Sequence, residues 1–129
     1  MMSENAANYH ALFLTNIALA AEMERQFPAH RGWNCVVRFY AALHLMNAYL
    51  IDKQNLRFDP ESTEHKERNY AMAQSPELRD AREKYRWLKN LSESVRYDVR
   101  YEYADEDREN AIAWLEKIVA IVEPKLKKA

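Results

Sequence analysis

A single glycine, Gly32, serves the whole 129-residue chain, and four prolines stand at Pro28, Pro60, Pro76 and Pro124. A sheet protein of this length would need glycines at several tight turns. Scarce glycine, with prolines at the edges of apolar segments, fits helices joined by short breaks instead. The chain is therefore expected to be all-α: an up-and-down bundle of four to five helices, in one domain spanning residues 1–129.

Apolar periodicity locates the helices. From Glu4 to Phe27, the residues Tyr9, Leu12, Phe13, Ile17, Ala20, Met23 and Phe27 recur every three or four positions and form one stripe. Phe27 precedes Pro28, which pushes it out of the helical region and ends the segment. The second segment, Trp33 to about Asp52, is the most apolar and should be central. Its expected inward line is Trp33, Val37, Tyr40, His44, Asn47 and Ile51, flanked by Val36, Leu43 and Leu50. Residues Lys53 to Glu61 read as a loop. A short helix from about Ser62 to Ala73 should follow, capped by Ser62 or Thr63. Gln74-Ser75-Pro76-Glu77 carries a serine for the cap, a proline for the first helical position and an acid for the first turn. It should start a helix from Pro76 to about Val99, with a seam of Leu78, Ala81, Tyr85, Leu88, Ser92, Val95 and Val99. The last helix begins near Ala104-Asp105-Glu106-Asp107, whose acids suit the positive helix end. Its stripe is Ala111, Trp114, Leu115, Ile118, Ile121 and Val122.

Composition narrows the class. Hydrophobic residues make up 48% and charged residues 30%, which fits a globular chain rather than a disordered or membrane one. No apolar run approaches the roughly 20 residues that a membrane span needs. No basic segment precedes an apolar one near the first residues, so no signal peptide is expected. The lone Cys35 can make no internal disulfide and no Cys-rich metal site, which favours a cytoplasmic location. Its neighbours Trp33, Val36 and Val37 are apolar, so an inert thiol is expected. A net charge of −1 argues against a large footprint for duplex nucleic acid but leaves room for a local RNA or nucleotide site.

Several residue groups are candidates for chemistry. His44 and Asn47 are polar positions on an apolar face and need partners if buried. His44 is either a hydrogen-bonded core histidine or a catalytic or ligand-contacting one at the bundle's mouth. His65 and Arg68 share a face near a helix start; they are either an exposed capping pair or part of a phosphate-binding cleft with Arg96. Residues 85–103 interleave Tyr85, Trp87, Tyr97, Tyr101 and Tyr103 with Arg86, Lys89, Arg96 and Arg100. Such a segment serves nucleic-acid contact or a helical dimer interface, and in a dimeric cleft it serves both. His10, His30, His44 and His65 are scattered, so no metal site and no cofactor is expected. One glycine also excludes a Gly-rich phosphate loop.

Two stretches resemble the HEPN superfamily of nucleotide- and RNA-associated helical bundles. The first runs from Trp33-Asn34-Cys35-Val36-Val37-Arg38-Phe39-Tyr40-Ala41-Ala42-Leu43-His44 to Leu50. The second is Tyr85-Arg86-Trp87-Leu88-Lys89-Asn90-Leu91-Ser92-Glu93-Ser94-Val95-Arg96-Tyr97-Asp98, preceded by a His-containing stretch at His65. The likeness covers roughly residues 30 to 122. It implies a homodimer with an RNA- or nucleotide-linked role of the defence or toxin–antitoxin type, and a nucleotidyltransferase-type partner protein. Catalytic members resembling this chain are metal-independent endoribonucleases. They carry an arginine followed a few residues later by a histidine and a trailing tyrosine. Here Arg96 fits the arginine and Tyr103 the trailing tyrosine, but Tyr101 holds the histidine position. A phenol, with a pKa of about 10 against about 6.5 for imidazole, is a poor proton shuttle at neutral pH. A binding or regulatory role is therefore expected, with Arg96, Tyr101 and His44 as candidate catalytic groups. His65, Arg68, Arg100, Tyr97 and Tyr103 are the candidate ligand contacts. The alternatives are an active ribonuclease using Arg96 with His44 or His65, and a purely structural or protein-interaction module. Arg38 and His44 also satisfy the motif's spacing, but six helical steps set them about 120° apart, so one face cannot present both.

Overall fold

The computed structural model describes residues 2–54 and 64–126, and every regular element among them is helical. Helix α1 spans Glu4–Gln26, α2 Arg31–Gln54, α3 Glu64–Ala73, α4 Arg79–Tyr97 and α5 Asp105–Val122. Short 3-10 turns at Pro28–His30, Pro76–Leu78 and Glu123–Lys125 each carry a proline. The bundle expected from glycine scarcity is the bundle observed.

Local chemistry sets the ends. Ser3 caps α1, its Oγ accepting the Ala6 N–H at 3.2 Å. Phe27 leaves the helix at φ −131°, as the following proline requires. At the start of α5 the Asp107 carboxylate accepts the Ala104 N–H at 2.9 Å. Ser75 departs from its expected role. It precedes the Pro76 turn, but its hydroxyl reaches back to the Ala71 carbonyl at 3.2 Å and makes no cap bond. Helix α4 therefore begins only at Arg79, after a 3-10 turn. It also stops at Tyr97, because Asp98 turns the chain: its carboxylate accepts the Arg100 N–H and its carbonyl the Tyr101 N–H, both at 3.0 Å. Val99, expected on the packing seam, is consequently 99% exposed. The expected caps Ser62 and Thr63 lie outside the described residues.

Helix α2 is central and packs on the other four helices. It runs antiparallel to α1, since Ala20 meets Asn34 and Glu24 meets Arg38 near one end while Tyr9 meets His44 further along. It is likewise antiparallel to α4, since Gly32 faces Val95 and Phe39 faces Tyr85. The approach at Gly32 is close: a Cβ there would stand 3.1 Å from Val95 Cγ1.

The inward line of α2 is not the one the periodicity suggested. Trp33 is 57% exposed and Tyr40 lies partly at the surface, while Cys35, Phe39, Ala42, Leu45, Met46, Tyr49 and Leu50 are buried. A helix enclosed by neighbours on several sides buries more than one stripe, so its apolar pattern does not select a face. In α1 only Ala6, Phe13 and Ala20 are buried, and Leu12 and Phe27 face outward. The core joins these residues to Met72, Leu78, Leu88, Ala111, Leu115, Ile118 and Val122. Around it, Glu24 accepts from both Arg38 and Arg108, tying α1, α2 and α5 together. No helix among the described residues is long and apolar enough to cross a membrane.

Candidate anion-binding cleft

Four helices surround a cleft of about 530 Å³. Tyr9 comes from α1; Phe39, Tyr40, Leu43, His44 and Asn47 come from α2; Arg68 comes from α3; Lys89, Glu93, Arg96 and Tyr97 come from α4. The register of α2 explains its share. Phe39, Leu43 and Asn47 are spaced by four, and Tyr40, Leu43, His44 and Asn47 by three or four, so all five fall on one side of the helix. Tyr97, the last residue of α4, is 74% exposed at the rim.

Arg96 lies in a nest of rings. Its guanidinium carbon is 5.7 Å from the ring centroids of Phe39 and Tyr40 and 5.0 Å from that of Tyr97. Its Nη1 donates to the Tyr40 hydroxyl at 3.1 Å, and its Nε donates to the Ser92 carbonyl at 3.3 Å. Among the described residues no carboxylate is within ion-pair distance of it. The aromatic faces hold the cation without neutralising it, so its charge remains available to an anion.

Arg68 forms part of the floor and is only 1% exposed. Its Nε donates to Asn47 Oδ1 at 2.7 Å. Of the two readings of Arg68, the exposed capping one does not hold: α3 folds its guanidinium into the bundle, where an amide acceptor meets it. The positive field of Arg68 is felt by its neighbours. Burial raises the pKa of the Tyr85 phenol, and Arg68 opposes that rise. His44, half-buried in the wall, is held below the usual imidazole range, first by burial and second by Arg68. Both effects favour its neutral form. Its ring stacks near Tyr9 at 6.0 Å and near Tyr40 at 6.5 Å, while its buried Nδ1 has no hydrogen-bond partner among the described residues. Ring contacts, rather than a hydrogen bond at Nδ1, hold the histidine.

Of the residues singled out in the sequence, the fold brings His44, Asn47, Arg68, Lys89, Arg96 and Tyr97 to this cleft. Tyr101 and Tyr103 do not line it. They pack partly buried against the core near the start of α2, Tyr101 beside the Asp107 carboxylate and Tyr103 against the Cys35 thiol. Burial, then these neighbours, raise both phenols far above their ordinary range. Arg100 is exposed on the turn after α4 and is also outside the cleft. His65 falls in the first turns of α3, but its side chain lies outside the described residues. Arg38, the false partner of His44, is paired with Glu24 on another face at 3.1 Å. Tyr9, Tyr40 and Asn47 belong to the site, although nothing in their spacing joins them to Arg96. The four-residue step from Tyr40 to His44 was the available signal. Its meeting with α4 was not.

Among the described residues no group of His, Cys, Asp or Glu has the makings of a metal site. The cleft's chemistry is that of arginine, imidazole and aromatic rings. Comparison with protein-family models, curated proteins and solved structures finds no match to this chain.

Proposed function

We propose that the cleft binds RNA or a nucleotide, and that the chain is a HEPN-like domain acting in binding or regulation. The observation that carries this is the pairing of Arg96, unneutralised by any described carboxylate, with three ring faces in one concave site. Arginine grips phosphate oxygens in a planar fork, and exposed tyrosine rings such as Tyr97 stack bases. A homodimer and a nucleotidyltransferase-type partner remain part of this proposal on the strength of the family resemblance.

The test is equilibrium binding of fluorescent RNA and of nucleoside phosphates to the purified chain across a salt series. Arg96→Ala should weaken binding about 10- to 100-fold, the equivalent of one charge-assisted hydrogen bond of about 1.5–3 kcal/mol. Arg96→Lys should recover part of it. No salt-dependent binding of any of these ligands would overturn the proposal.

A second reading is favoured by one specific feature: His44 and Arg96 line the same cleft. A neutral imidazole could take the proton of a ribose 2′-hydroxyl while Arg96 holds the phosphate, the division of labour of a metal-independent ribonuclease. Tyr101, packed elsewhere, would have no part in it. Incubation of labelled RNA in EDTA decides: cleavage lost in His44→Ala supports this reading, and intact RNA counts against it.

A further inference from the structure

A second concavity, about 330 Å³ in volume, lies between α3 and α4 beside the first, and its polar lining is Asn69 from α3 and Arg82, Arg86, Lys89 and Asn90 from α4. Lys89 forms part of both walls. Buried Tyr85 lies under the second pocket and packs on Phe39 of the first at 5.6 Å. The two hollows are therefore neighbours along one helix face.

We propose that they form one continuous groove for single-stranded nucleic acid, in which the ring-lined cleft takes a base and the α4 ledge takes the phosphates of the following nucleotides. This rests on the reading of the cleft given above and decides between its two ligand sizes: the ligand is an oligonucleotide, not a mononucleotide.

Helical geometry carries the first part of the argument. At about 100° per residue, Arg82, Arg86, Lys89, Glu93 and Arg96 fall within about 80° of arc on α4. They make a stripe of four cations and one acid. Glu93 is engaged by Lys89 at 3.9 Å, and Glu83, off the stripe, by Lys84 at 3.1 Å. Arg82 and Arg86 are exposed and have no carboxylate within ion-pair distance among the described residues. A net charge of −1 for the chain makes this local surplus distinctive rather than a general property of the surface.

Length carries the second part. Arg82 to Arg96 is fourteen helical steps, about 21 Å. A fully stacked strand advances about 3.4 Å per nucleotide and an unstacked one more, so the stripe spans at most about six nucleotides and exceeds any single one. A duplex suits the site poorly, because the rings of Tyr40 and Tyr97 need an unstacked base.

The experiment is fluorescence anisotropy with the full chain and labelled oligouridylates and oligothymidylates of two, four, six and eight nucleotides. Binding should tighten with length up to about six nucleotides and then level off. Arg82→Gln with Arg86→Gln should weaken the hexamer about tenfold, leave the dinucleotide within about twofold, and reduce the salt slope of log affinity by about 1.4 for two lost phosphate contacts. Both positions are exposed, so far-UV circular dichroism melts should match wild type. RNA and DNA bound equally would assign the contacts to phosphates and base faces, while tighter RNA binding would assign a further contact to the 2′-hydroxyl; both support the groove. If dinucleotide and hexamer bind equally, and the double variant changes neither while Arg96→Ala weakens both, the groove is refuted and the cleft reading stands. If nothing binds, the cleft reading itself fails.

Discussion

Asn47→Leu should destabilise this protein chiefly by taking away the acceptor of the Arg68 Nε–H. Both side chains are buried, at 2% and 1% exposure, and the bond between them is 2.7 Å long. Leucine has nearly the shape of asparagine but accepts no hydrogen bond. Leaving a buried charged donor without this acceptor costs about 3 kcal/mol. The added apolar burial of leucine offsets about 1 kcal/mol of that. The net loss is about 2 kcal/mol, which for a chain of this size lowers the melting temperature by about 8 °C. Asn47→Asp is the control. It keeps an acceptor against the guanidinium, so its stability at pH 7 should fall by less than about 1 kcal/mol. Its added negative charge should still weaken anion binding in the cleft. Urea denaturation followed by far-UV circular dichroism measures the stabilities. An Asn47→Leu protein as stable as wild type, or an Asn47→Asp protein as unstable as Asn47→Leu, would refute the claim that this hydrogen bond holds Arg68 in the floor.

Two further outcomes follow from burial. Because the folded pKa of His44 is depressed, the unfolded chain binds more protons; stability should therefore fall as pH drops below about 6.5 and level off below the folded value. His44→Gln should flatten that dependence between pH 7.5 and 5 in urea titrations, and an unchanged slope would show that other groups carry it. The Cys35 thiol, pushed up to about 12 by burial, should react with a disulfide reagent at neutral pH only as fast as the chain unfolds; rapid labelling of the folded protein would contradict its buried position.

The cleft illustrates how a weakly charged chain concentrates charge. Several cations of this chain are met by acids: Arg38 and Arg108 by Glu24, Arg31 by Asp105, Arg25 by Glu22. Arg96 is met by rings. Neutral partners hold a guanidinium in position and leave its field intact, whereas a carboxylate would cancel it. This is the physical difference between a structural arginine and one available to a ligand, and composition does not reveal it.

What the sequence determined by itself was the class of fold and the order of its elements. One glycine, prolines at the breaks and three-to-four spacing of apolar residues placed the helices, with ends off by a few residues at Ser75 and Val99. These features act locally, through backbone restriction and helix periodicity, so they are legible one segment at a time. The face that α2 buries was not legible, because a helix packed against four others has apolar residues all round. Nor was the grouping of Arg68, Arg96, His44 and Tyr40, or the separation of Tyr101 from them. Arg96 and Tyr40 are 56 positions apart, yet they meet at 3.1 Å. Tyr101 is five positions from Arg96, but the turn at Asp98 carries it beside Asp107 and out of the cleft's lining. Proximity of this kind depends on how helices cross and where a turn directs the chain, which only the packed bundle fixes.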